Sequence, residues 1–265
     1  MLTISYQQKY LMDLAKEAKD VLHQFLDLIY PPRCIICQEF LEKKARIPDN
    51  GPVPLCPSCL GGFQETPPSH CSVCSRPFES TLEDVHTCGA CLMKPPRFKR
   101  IAVPYLYEGT LMDAIHQFKY GGKSHMAGTL ARLLMPCAAQ LAREIGNVLV
   151  MPVPLHPKRL RERGFNQSLL LARSVAKELT LQLDYLSLRR IKYTAPQTSL
   201  KKDERRKNVR KAFELTRKNV VKGEKVVLVD DVATTGNTLN ECAGVLLRAG
   251  CKEVYALVLA RTAGY

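Results

Sequence analysis

A chain of 265 residues, 46% hydrophobic and 24% charged, has the composition of a globular protein with room for one medium domain and one small one. Its formal charge of +14 is unusual, and 20 Lys and Arg against 7 Asp and Glu between His156 and Lys225 place almost all of it in one stretch. No run approaches ~18 consecutive apolar residues, which excludes a hydrophobic span. Lys9, Asp13, Lys16, Glu17, Lys19 and Asp20 leave no apolar leader, so a cytoplasmic chain is expected. A localised positive field attracts phosphate-bearing partners, whether small molecules or nucleic acid; a solvated face is the plain alternative.

Leu11, Leu14, Ala18, Val21, Leu22, Phe25 and Leu28 recur at helical spacing and predict an amphipathic packing helix from Tyr6 to Ile29, stopped by Pro31 and Pro32. Met12 is an alternative start. The segment Cys34 to Cys91 is rich in Pro, Gly and Ser and too poor in large apolar residues to build its own core. Pro95 to Phe98 reads as a boundary, giving three units: 1–30, 31–98 and 99–265. Beyond it, strands are expected at Ile101–Tyr107, Val148–Val153, Leu186–Ile191, Lys225–Val229 and Glu253–Leu259. Helices are expected at Thr110–Tyr120, Met126–Ile145, Asn166–Thr180 and Thr238–Ala249, with a polar, basic loop from Ala195 to Arg210. That alternation argues for an α/β fold with a parallel sheet covered on both faces.

Eight of the eleven cysteines form four pairs of spacing C-x2-C: Cys34 and Cys37, Cys56 and Cys59, Cys71 and Cys74, Cys88 and Cys91. Two thiolates three positions apart grip one tetrahedral zinc from a tight knuckle, and two knuckles fill all four positions. Two closed, structural zinc sites are therefore expected, grouped sequentially, with an interleaved cross-brace as the alternative. Disulfides would need an oxidising compartment, and iron–sulfur clusters use tighter cysteine runs. His70 and His86 read as bystanders; Cys137, Cys242 and Cys251 read as small buried hydrophobes.

The segment from Val226 to Leu239 reads Val-Val-Leu-Val-Asp-Asp-Val-Ala-Thr-Thr-Gly-Asn-Thr-Leu. An apolar strand delivers Asp230 and Asp231 at its C-terminal end, where open α/β sheets bind ligands. Ala233, Thr234, Thr235, Gly236, Asn237 and Thr238 then lead into a helix whose N-terminus suits a phosphate. The carboxylates suit vicinal hydroxyls. A phosphate loop beside a diol-binding acidic pair describes a ribose 5-phosphate site. A Walker motif fails on spacing, because the required first glycine would fall at Gln117, and there is no G-x-G-x-x-G.

This segment resembles the phosphoribosyl pyrophosphate signature of type I phosphoribosyltransferases. Two further blocks, Pro152 to Ser168 and Thr194 to Phe213, together with the upstream cysteine pairs, make the chain from about Pro31 to its end resemble the ComF family. The resemblance implies a double zinc ribbon followed by a phosphoribosyltransferase-like domain of parallel-sheet type. It also implies a link to natural transformation, with single-stranded DNA and DNA-uptake proteins as partners. Carried over, Asp230 and Asp231 would hold the ribose hydroxyls, residues 233 to 238 the 5-phosphate, and Mg2+ would come with phosphoribosyl pyrophosphate. Val153, Pro154, Leu155 and His156, with Lys158 nearby, would form the pyrophosphate loop. Arg161, Arg163, Gln167, Gln197 and Arg205 are candidates for a mobile loop, although the same side chains suit DNA contact or a solvated face. An active transferase would displace pyrophosphate from C1 of the ribose, and no base-recognition hood is visible in the sequence. Replacing both aspartates by asparagine is expected to weaken ligand binding without unfolding the domain.

Overall fold

The computed structural model describes residue 14 and residues 29–41, 45–47, 51–78, 85–193 and 211–264. The helix expected from Tyr6 to Ile29 and the basic loop from Ala195 to Arg210, with Gln197 and Arg205, lie almost wholly outside that set. The cysteine-rich part contains β1 (Ala45–Ile47), β2 (Gly51–Val53), α1 (Pro57–Gly61), β3 (His70–Cys71), β4 (Val85–His86) and α2 (Gly89–Met93). The rest contains β5 (Ile101–Ala102), β6 (Tyr105–Leu106), α3 (Gly109–Tyr120), α4 (Ala127–Ile145), β7 (Leu149–Pro152), α5 (Pro157–Arg163), α6 (Gln167–Glu178) and β8 (Gln182–Leu183). It continues with β9 (Leu188–Arg190), β10 (Phe213–Leu215), β11 (Lys225–Ala233), α7 (Asn237–Arg248) and β12 (Glu253–Arg261).

Six strands form one parallel sheet in the order β5-β12-β11-β7-β8, with β6 also on β12. Alternation along the strands sorts their side chains to two faces. Val227, Val229, Leu257 and Leu259 pack under α3, α4 and α6, while Val226, Leu228, Ala256 and Val258 pack under α7 and the β9–β10 hairpin. Both faces are covered, as near-continuous apolar strands require.

Several expectations are corrected. The strand expected over Ile101–Tyr107 splits into β5 and β6, with Pro104 between them; proline has no N–H for a ladder. The strand expected at Leu186–Ile191 is not in the parallel sheet, because β9 pairs antiparallel with β10. The short edge strand β8 and the helix α5 carry little periodic signal and were not expected. The strand expected to stop at Val229 runs on to Ala233, held by β12 along its whole length.

The first ribbon has no core of its own. Ile35, Ile36, Leu41, Val53, Leu55 and Phe63 share one core with Leu111, Ala114, Ile115 and Phe118 of α3 and with the apolar face of α4. Gln117 donates from Nε2 to the Ile36 carbonyl at 3.3 Å. Gly62 closes the contact: a methyl group there would run into Thr110. The second ribbon rests on the sheet edge, where the Ile101 N–H donates to the Val73 carbonyl at 2.9 Å and Ser75 Oγ donates to the Ile101 carbonyl at 2.5 Å. Phe98, at the expected boundary, is buried among the residues under α7.

Candidate functional site

The Sγ atoms of Cys34, Cys37, Cys56 and Cys59 lie within 4.8 Å of one another, and so do those of Cys71, Cys74, Cys88 and Cys91. Cys37 and Cys56 sulfurs are 3.7 Å apart, and Cys74 and Cys88 sulfurs 3.9 Å. A tetrahedron with Zn–S bonds of about 2.3 Å has edges of about 3.8 Å, so both donor sets fit zinc and leave no open position. The grouping is sequential, as the spacing suggested. Backbone N–H groups point at the sulfurs: Cys59 N–H to Cys56 Sγ at 3.3 Å, Cys74 N–H to Cys71 Sγ at 3.4 Å and Cys88 N–H to Cys71 Sγ at 3.3 Å. Burial works against the Cys71 thiolate, but the amides of Cys74, Cys88 and Val73 outweigh it and bring its pKa down to about 6. Burial and neighbouring sulfurs push Cys59 and Cys91 up, so these thiols release protons when metal binds. Burial also pushes Cys74 up, and the guanidinium of Arg261 partly offsets it. His70 and His86 stand outside both clusters: His70 Nδ1 meets the Pro67 carbonyl at 2.8 Å and His86 stacks on Phe78. These are two zinc-binding clusters of the structural kind, each with four cysteine ligands. Elemental analysis should find two zinc ions per chain; iron, or less than one zinc, contradicts this.

The second centre lies at the C-terminal end of β11. A cleft of about 210 Å³ is lined there by Asp230, Asp231, Val232, Thr234 and Thr238, and by Val153, Pro154 and Leu155 after β7. Gly236 has φ of +73°, a left-handed conformation open to glycine, and it starts α7. Thr235 Oγ1 accepts the Asn237 N–H at 3.3 Å and stiffens the turn. The turn hands the cleft the positive end of a 12-residue helix. Ala233 is buried and serves the core beneath the loop.

Asp231 is buried and accepts an ion pair from Lys119 Nζ at 2.9 Å. Burial would lower the Lys119 pKa, but the charge and hydrogen bond of Asp231 overcome it and raise it. Asp230 accepts from Ser168 Oγ at 2.8 Å and from the Asp231 N–H at 3.0 Å. Burial, then the charge of Asp231, push its pKa up to about 7. The two aspartates therefore differ: one is committed to an ammonium and the other holds a proton near neutrality.

The loop after β7 is held by its neighbours. The Val153 N–H donates to the Val229 carbonyl at 2.9 Å, and Asn166 Nδ2 donates to the Val153 carbonyl at 3.2 Å. His156 caps α5 by accepting the Lys158 N–H at its Nδ1, 3.2 Å away, and Gly164 ends that helix in the left-handed region. α5 turns Arg159 and Arg163 toward the cleft and leaves Lys158 and Arg161 exposed. Gln167 is buried, accepts from Arg163 Nη1 at 3.2 Å and donates to the Lys119 carbonyl at 3.4 Å. Of the residues expected to form a mobile loop, Arg163 and Gln167 thus reach the cleft and Arg161 does not. Tyr107, His116, Lys119, Tyr120, Ser168 and Arg190 also line it. Of these only Ser168, the last residue of the Pro152 to Ser168 block, carried a local motif.

A phosphoribosyl transferase domain model matches residues 166–264 and a double zinc ribbon domain model matches residues 25–92. The chain is 38% identical over 206 residues to the DNA utilization protein YhgH of Escherichia coli O157:H7, covering 72% of this chain and 90% of that one. It is 33% identical over 233 residues to competence protein F of Haemophilus influenzae, covering 86% and 96%. It is 27% identical over 203 residues to competence protein ComFC of Bacillus subtilis, covering 74% and 79%. Two sulfur clusters on a type I phosphoribosyltransferase-like sheet, and relatives that match along most of the length, lead to one conclusion: the chain belongs to the ComF family.

Proposed function

We propose that this protein binds phosphoribosyl pyrophosphate in the β11 cleft and acts in the cytoplasm on incoming single-stranded DNA, alongside proteins of the uptake machinery. The observation that carries the ligand assignment is the acidic pair near the end of the central strand, followed five residues after Asp231 by the left-handed Gly236 and the N-terminus of α7. Asp230 and Asp231 take the ribose hydroxyls, and residues 233–238 offer N–H groups and hydroxyls to the 5-phosphate. The loop residues Val153 to Leu155 face the pyrophosphate, with Arg159 and Arg163 as countercharges, and His156 caps the helix that carries those two. Mg2+ fits as a companion of the ligand: Asp231 is already paired with Lys119, and Mg2+ in such sites is held largely by substrate oxygens. Bound there, it neutralises diphosphate charge.

The names of the relatives, DNA utilization and competence, support the DNA role. So does the charge between His156 and Lys225, which exceeds the need of one sugar diphosphate. Tyr193 stands at the described edge of this stretch, 44% exposed, with Lys158 Nζ 4.5 Å and Arg159 Cζ 5.9 Å from its ring centre. A half-exposed ring with cations beside it suits base stacking.

Filter binding tests the DNA reading. Affinity for a single-stranded oligonucleotide should fall with salt by about 0.7 log unit per log unit for each phosphate neutralised. Neutralising Lys201, Lys202, Arg206, Lys207 and Lys211 together should weaken binding and flatten that slope, while phosphoribosyl pyrophosphate binding stays. A variant that binds DNA like the parent removes the DNA reading. If both affinities fall together, the stretch covers the cleft, and the alternative of an active phosphoribosyltransferase gains.

A further inference from the structure

We propose that the turn at residues 184–187 is a second stacking platform for single-stranded DNA, reached along β9 from Tyr193 and lying outside the ligand cleft; it rests on the DNA reading above. The chain leaves β8 at the edge of the sheet and passes through this turn into β9. Asp184 closes the turn: its Oδ1 accepts the Leu186 N–H at 2.8 Å and the Ser187 N–H at 2.9 Å, and its Oδ2 accepts from the Ser187 hydroxyl. Ser187 is buried, whereas Tyr185 and Leu186 project outward, 44% and 46% exposed, so core packing does not account for this pair. Both are pinned nonetheless. The Cζ of Arg173, on α6, stands 5.0 Å from the Tyr185 ring centre, and Arg189 Nε donates to the Leu186 carbonyl at 3.4 Å. A ring held in place before its ligand arrives has less freedom to lose on binding.

The strand that follows extends the platform. Side chains alternate along it: Leu188 is buried and Arg190 lines the cleft, while Arg189, Ile191 and Tyr193 are exposed. The Ile191 N–H still donates to the Ala212 carbonyl at 2.8 Å, which carries the alternation past the end of β9. Same-side residues recur about every 6.6 Å along such a strand. The outcome is a row with a tyrosine at each end, cations beside each ring, and a guanidinium and an aliphatic side chain between them. Rings take base faces and cations take phosphates, so a row that mixes the two fits a single strand. Asp184 is spent on its own turn, and Glu214, opposite Arg189 in the ladder, sets one negative charge against Arg189, Arg173, Lys158 and Arg159. Residues 184–189 stand apart from the lining of the cleft, so the row leaves room for the sugar diphosphate to be bound at the same time.

Filter binding of the full chain to an oligo-dT strand of about 20 nucleotides tests this. Tyr185→Ala should weaken binding about tenfold, the loss of roughly one stacked base, and should leave phosphoribosyl pyrophosphate affinity unchanged. Tyr185→Phe, which keeps the ring, should bind the strand nearly as well as the parent. A strand carrying 5-iododeoxyuridine should crosslink to Tyr185 on irradiation of the parent. Equal strand affinity in the parent and Tyr185→Ala, or no crosslink at Tyr185, overturns the platform and leaves the DNA reading standing. A parent that binds no strand overturns both. If Tyr185→Ala turns a dimer into a monomer in sedimentation while strand affinity is unchanged, the face serves a second copy of this chain and the platform is wrong.

Discussion

Asp230→Asn should weaken phosphoribosyl pyrophosphate binding about tenfold to a hundredfold without destabilising the fold; at neutral pH its melting temperature should rise, because no buried carboxylate is left to ionise. One hydrogen bond to a charged acceptor, about 1.5–3 kcal/mol, is at risk. Asp231→Asn should damage both properties, because it leaves the Lys119 ammonium, only 16% exposed, without its partner. Breaking a buried pair on one side costs about 3–5 kcal/mol. This revises the expectation from sequence that both substitutions would spare the fold. Adding Lys119→Met to Asp231→Asn should restore much of the stability and none of the binding. Asp230 also sets a pH dependence. The folded protein keeps a proton up to about pH 7 that an unfolded aspartate gives up near pH 4. Stability of the ligand-free protein should therefore fall as pH rises from about 4 to about 7, and that slope should vanish in Asp230→Asn. Ligand affinity should rise over the upper part of the same range as the carboxylate forms. Calorimetry and thermal melts across pH separate the two, and a parent and variant with parallel profiles would remove Asp230 from the site.

The second large effect concerns the first metal. Structural zinc held by four thiolates contributes an apparent free energy of about 10–16 kcal/mol, comparable to the whole stability of a domain. Cys59→Ser should lose that ion, and the loss should not stay local. Ile36, Leu55 and Phe63 lie in the same core as α3, and α3 carries Lys119 to Asp231. Ligand binding should fall along with zinc content. Cys91→Ser strikes the other cluster, which rests on β5 and beside Arg261, so it should cost stability with a smaller loss of ligand. Metal content, melting and calorimetry on the two variants make the comparison. If Cys59→Ser binds ligand like the parent, the ribbon is an independent module.

The parts that sequence made legible are those whose chemistry is contiguous. Each pair of cysteines is three positions apart, and the acidic pair, the threonines and Gly236 fall within seven consecutive residues, Asp230 to Gly236. Lys119 was opaque because its partner lies 112 positions away, and it reads locally as an ordinary lysine in the last turn of a helix. The rings of Tyr107 and Tyr120 were hidden for the same reason. β11 was cut short because two aspartates argue against strand; the neighbouring β12 carries the backbone through them. β9 looked like one more parallel strand because its apolar run is too short to reveal which partner it takes. The basic stretch gave its charge plainly and the helix α6 within it, but not α5, β8 or the antiparallel pairing of β9 with β10.

The shared core of the first ribbon and α3 has a consequence for the nascent chain. The last cysteine of that cluster is residue 59, and the second helix that completes its apolar surroundings ends at residue 145. At about 5–20 residues per second, a ribosome takes roughly 4–17 s to cover that interval. Until it ends, Ile36 and Leu55 lack the full set of helices they pack against. Metal captured as the knuckles emerge would fix the ribbon ahead of its partners, so limiting zinc during synthesis should lower the yield of folded protein.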